Sequence, residues 1–78
     1  MINDIKNYIL SQLLDDQNIN IDSNTPLISS GLIDSISTLK LVDHLEKTYE
    51  VEFQPHEVDR DNLDNIELMA QFIQSKKQ

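Results

Sequence analysis

Gly31-Leu32-Ile33-Asp34-Ser35-Ile36 opens a long amphipathic run, and the reading of this stretch decides the fold. Gly31 permits a turn that no other residue nearby would allow. Leu32 and Ile33 give the incoming loop two apolar anchors. Asp34 suits the cap position just before a helix. From Ser35 to Tyr49, Ile36, Leu39, Val42 and Leu45 recur at helical spacing, and Leu41 and Tyr49 widen the stripe. Lys40, Asp43, Glu46 and Lys47 fall outside it. Such a helix is roughly 22 Å long. A serine at its first position presents a hydroxyl where the helix N-terminus favours an anion. That is a natural place to attach a phosphate-linked group. Ser29, Ser30 and Ser37 lack this setting, and Ser11 lies inside an earlier helical run.

Working upstream, Ile2, Ile5, Ile9, Leu10, Leu13 and Leu14 predict a first helix from about Asn3 to Asp16, with Asn3 as its cap. Gln17 to Asp34 then reads as a long polar loop containing Thr25-Pro26. Loops of this length in compact domains are often functional. Downstream, Val51-Glu52-Phe53 reads as extended, and Pro55 to Asp59 as a brief helix with proline at its first position. The last helix is expected from Asp64. Asp64-x-x-Glu67 resembles a capping box, Leu63 and Leu68 flank it as a hydrophobic staple, and Lys76 and Lys77 suit its C-terminal end. The expected fold is all-α, a single domain over residues 1–78. It is a small bundle of three long helices plus one short helix, with a long crossover loop between helices 1 and 2.

The composition narrows the function. Fourteen acidic against six basic residues give a net charge of −8. That disfavours nucleic acid and anionic membrane surfaces, and points to basic protein partners and a monomeric state. No apolar run approaches the roughly 20 residues of a membrane span. Met1 to Ile9 does not read as a signal peptide, so the cytoplasm is expected. Cysteine is absent, which excludes disulfides and thiolate metal sites. His44 and His56 are the only histidines. Ser35 and His44 point to opposite sides of one helix, so no serine–histidine active site is expected. Asp16-x-Asn18-x-Asn20 matches the start of a calcium loop, but Ile21 and Leu27 stand where the glycine and closing glutamate belong. No metal site is expected. The chain reads as something acted upon at Ser35, not as an enzyme.

The run Gly31 to Ile36, followed by Leu39, Val42 and Leu45-Glu46, resembles the signature of acyl and peptidyl carrier proteins. The resemblance extends over nearly the whole chain. It implies that Ser35 carries 4′-phosphopantetheine, transferred from coenzyme A by a separate magnesium-using phosphopantetheinyl transferase. The arm would hold acyl or aminoacyl groups as thioesters, delivered by a loading enzyme and used by a downstream synthase or transferase. Leu32, Asp34, Ile36, Leu39, Lys40 and Asp43 are the expected partner-recognition surface, with Ile36 and Leu39 alternatively part of the core. Lys40, Lys47 and Ser37 depart from the acidic second helix common in fatty-acid carriers. Glu57-Val58-Asp59-Arg60-Asp61 is similar to D-alanyl carriers, so a D-alanyl or other aminoacyl carrier is the alternative. The rival from another class is a cofactor-free helical interaction module.

Overall fold

The computed structural model describes residues 1–14 and 19–77. It places four α-helices in chain order: α1 (Ile2–Tyr8), α2 (Ser35–Tyr49), α3 (Arg60–Leu63) and α4 (Ile66–Lys76). Among the described residues there is no strand. The all-α expectation therefore holds. Helix α1 runs directly into a wider π-wound stretch over Ile9–Leu13, which closes with the Leu14 N–H donating to the Ile9 carbonyl at 2.9 Å. The first helix starts one residue before the expected Asn3. Met1 occupies the cap position and makes no side-chain capping bond. The expected end at Asp16 lies outside the described residues.

Helix α2 spans the predicted residues, and Asp34 caps it by accepting from the Ser37 N–H at 2.7 Å. Its far end is closed by Glu50 in the left-handed region, φ 56°, where glycine is the usual residue. The buried face differs from the predicted stripe. Thr38, Leu41, Val42 and Leu45 face the core, whereas Ile36 and Leu39 are 66% and 62% exposed. The i+3, i+4 register admits either face. The common core, to which the loop adds Ile21, Leu27 and Ile33, lies on the side that carries Leu41 and Leu45.

The core is built from every element: Ile5 and Ile9 from the first helix, Leu41 and Leu45 from α2, Leu63 from α3, and Ile66, Met69 and Ile73 from α4. The loop contributes Ile21, Leu27 and Ile33, all buried. Phe53 closes one end against Phe72, with ring centroids 5.0 Å apart. A half-buried ion pair, Lys76 to Glu57 at 2.8 Å, straps α4 to the segment before α3.

Two expectations around the C-terminal half are corrected. The segment after Pro55 is a single 3₁₀ turn, Pro55–Glu57, and α3 follows as a separate helix capped by Asp59. The last helix is capped by Asn65, which accepts from the Leu68 N–H at 2.8 Å. Asp64 is instead turned toward the loop. Its carboxylate accepts from the Ile28 and Ser29 N–H groups, both at 2.9 Å, and from the Ser29 hydroxyl at 2.8 Å. Its carbonyl accepts from the Leu27 N–H at 2.7 Å. The Glu67 N–H, expected inside a capping box, donates to the Ser23 carbonyl. The start of α4 is thus the clamp that holds the crossover loop.

Candidate functional site

The loop reaches Ser35 through a built turn. The Ser30 hydroxyl donates to the Pro26 carbonyl at 2.6 Å, and the Gly31 N–H donates to the Ile28 carbonyl at 3.1 Å. Gly31 sits at φ +83°, a conformation that strains any side-chain-bearing residue even though a Cβ there would meet open space. The Ile33 N–H then donates to the Leu27 carbonyl, and the buried Ile33 side chain fixes the entry into α2.

Asp34 holds the first turn twice. Its carboxylate takes the Ser37 N–H, and its carbonyl takes both the Thr38 N–H and the Thr38 hydroxyl, at 2.9 and 2.8 Å. The Ser37 N–H and hydroxyl hold the Asp34 carboxyl below its ordinary range, with a further contribution from Lys40. Ser35 itself is exposed at the first position of α2. Among the described residues its hydroxyl has no hydrogen-bond partner, so it is free to carry a substituent.

Beside Ser35 lies a cleft of about 690 Å³. Its apolar walls come from Ile28, Ile33, Leu39 and Val58. Asp34, Thr38, Asp59 and Arg60 complete the lining together with Ser35. A group attached to Ser35 has this cleft on one side and the N-terminal end of a 15-residue helix beneath it. The residues therefore fit a phosphate-linked arm with an apolar stem.

The family model for the phosphopantetheine attachment site matches residues 4–73. The chain belongs to this family. The carrier is also 31% identical, over 91% of its length and 82% of the relative's, to the probable acyl carrier protein PigG of Serratia sp. (strain ATCC 39006). Its role is accordingly that of an acyl carrier protein. A solved structure titled "Crystal structure of FAD-dependent dehydrogenase" contains a chain that superposes with a TM-score of 0.80 at 30% identity. The match covers 88% of the carrier and 97% of that chain.

The structure gathers most of the residues expected to recognise partners. Ile36, Leu39, Lys40 and Asp43 follow the spacing of one helical face, and all four are exposed. Asp34 is exposed at the head of that face, and Leu32 is half-buried in the loop before it. Asp43 pairs with Lys47 at 3.0 Å across one turn. Sequence reasoning missed Thr38, Val58 and Arg60. Thr38 was legible as a hydroxyl four residues after a cap, and Arg60 as the chain's single arginine. His44 stacks on Tyr8, ring centroids 3.8 Å apart, and His56 is exposed; neither lines the cleft. Among the described residues no cluster of three metal-binding side chains occurs, and Asp16 and Asn18 of the calcium-like stretch lie outside them. No helix is long and apolar enough to cross a membrane, among the residues described.

Proposed function

We propose that Ser35 is the attachment point for 4′-phosphopantetheine and that the chain is a substrate of its partners, without catalysis of its own. The observation that carries this is the exposed, unpartnered Ser35 hydroxyl on the first turn of α2, inside the family's matched span. The arm would supply the thiol on which an acyl or aminoacyl cargo is held as a thioester, in a chain with no cysteine. Asp34 keeps the first turn wound so that Ser35 stays outward, and its ionised carboxylate gives the modifying transferase and its magnesium a feature to read. The α2 N-terminus favours the new anion by about 0.3–1 kcal/mol, the range for exposed sites. Ile36 and Leu39, with Lys40 and Asp43 beside them, form the docking face for a phosphopantetheinyl transferase, a loading enzyme and a downstream synthase or transferase in the cytoplasm. Lys40 places a positive charge on that face and selects among partners.

A flavin-dependent dehydrogenase belongs among the candidate downstream enzymes. The similar chain in the dehydrogenase-titled structure is almost the same length as this one. A small helical domain of that kind offers none of the parallel sheet that dinucleotides bind across. We therefore read it as a partner of the flavin enzyme and not as the enzyme itself.

Intact mass after incubation with coenzyme A, magnesium and a broad-specificity phosphopantetheinyl transferase tests the assignment. Wild type should gain one phosphopantetheine increment and Ser35→Ala none. A folded wild type that gains nothing, beside an active control, returns the chain to a cofactor-free interaction module.

A further inference from the structure

Arg60 is the single arginine of a chain with net charge −8, and it lines the same cleft as Ser35. It is also the only cation among the residues lining that cleft. Its two acidic companions there are already engaged. Asp34 accepts from the Ser37 N–H, and Asp59 accepts from the Asn62 N–H at 3.2 Å as the cap of α3. Among the described residues, Arg60 has no ion pair of its own.

A phosphodiester on Ser35 would bring a third negative charge into this cleft. Without a cation, three anions would share one small volume, and the arm would be pushed out to solvent. A guanidinium offers planar, paired N–H donors that match phosphate oxygens. The apolar walls beside it, Ile28, Ile33, Leu39 and Val58, suit a stem that carries methyl and methylene groups. Resting on the carrier reading above, we infer that Arg60 anchors the phosphodiester of the Ser35-linked arm and holds the proximal arm in the cleft between α2 and the Val58–Arg60 segment. The loaded carrier then has a docked arm and a released arm, and the charge at position 60 sets the balance between them.

The test compares amide ¹H–¹⁵N spectra of the unmodified and phosphopantetheinylated full chain, with ³¹P spectra of the modified form. Modification should shift the amides of Asp34 to Ser37, which flank the attachment point, and also those of Val58, Asp59 and Arg60. Arg60→Gln should abolish the second set, leave the first, and move the ³¹P signal toward that of the free diester. Arg60→Lys, which keeps the charge and loses the fork, should retain part of the second set. Salt at about 1 M, where the screening length is about 3 Å, should reduce it in wild type. Unchanged amides of Leu41 to Tyr49 in each unmodified variant show that the fold is intact. A modified chain whose Val58–Arg60 amides stay at their unmodified positions overturns the inference alone. Failure to gain the mass increment at Ser35 overturns the carrier assignment and this inference with it.

Discussion

At the scale of single residues, Asp64 contributes more than its place in the sequence suggests. One carboxylate takes three hydrogen bonds from Ile28 and Ser29, and its position sets where the Gly31 turn begins. These bonds hold its carboxyl below the ordinary range, the Ser29 N–H foremost. Asp64→Asn should destabilise the chain by about 1–3 kcal/mol near pH 7 in denaturant titrations. The sign of the pH dependence follows from the lowered value. A depressed folded pKa adds stability above the unfolded value of about 4, and that stability is lost as pH falls through the folded one. The gap between wild type and Asp64→Asn should therefore be constant above about pH 5 and should close below about pH 4. Asp22 and Asp34 are lowered by the same kind of N–H donation, from Asn24 and Ser37 respectively. All three add to one acid-sensitive loop.

At the scale of elements, the bounds and the cap of α2 were legible and the rest was legible in part. Its cap, its start and its end at Tyr49 are all local features, and local features are what a sequence displays. The buried face was not legible at Ile36 and Leu39. Both satisfy a helical period, and only the folded chain shows that they stay exposed. Asp64 and Asn65 are both good caps one residue apart. The choice between them rests on a partner 35 and 36 residues away, which no local pattern records. Arg60 joined the site for the same reason: α3 brings it to the cleft across the fold. The end of α2 offers a direct test. Glu50 is held at φ 56° as the left-handed cap, a conformation glycine adopts without a Cβ penalty. Glu50→Gly should stabilise the chain by about 0.5–1 kcal/mol, raising the thermal midpoint without altering Ser35 modification.

At the scale of the whole molecule, the core and the proposed docking face are separate sets of side chains on one helix. Leu41 and Leu45 are fully buried, while Ile36 and Leu39 are outside. A domain this small holds about 3–5 kcal/mol of core stability, and Leu41→Ala removes about 2–5 kcal/mol, so that variant should lose its cooperative melt. Ile36→Asp should melt within a few degrees of wild type and slow transfer with each partner, measured as kcat/KM for the carrier as substrate. Equal rates with several partners would remove Ile36 from the docking face. The clamp between Asp64 and the Ile28–Ser29 backbone has a consequence for biosynthesis. Ser35 lies in the first half of the sequence, but the loop that leads to it is clamped in part by Asp64, some 35 residues downstream. A nascent chain that has not yet emerged past α3 holds Ser35 on a loop that lacks this clamp. If Ser35 is the attachment site, a transferase that reads the fastened turn should modify the chain only after the Asp64 region has been made and has folded onto the loop.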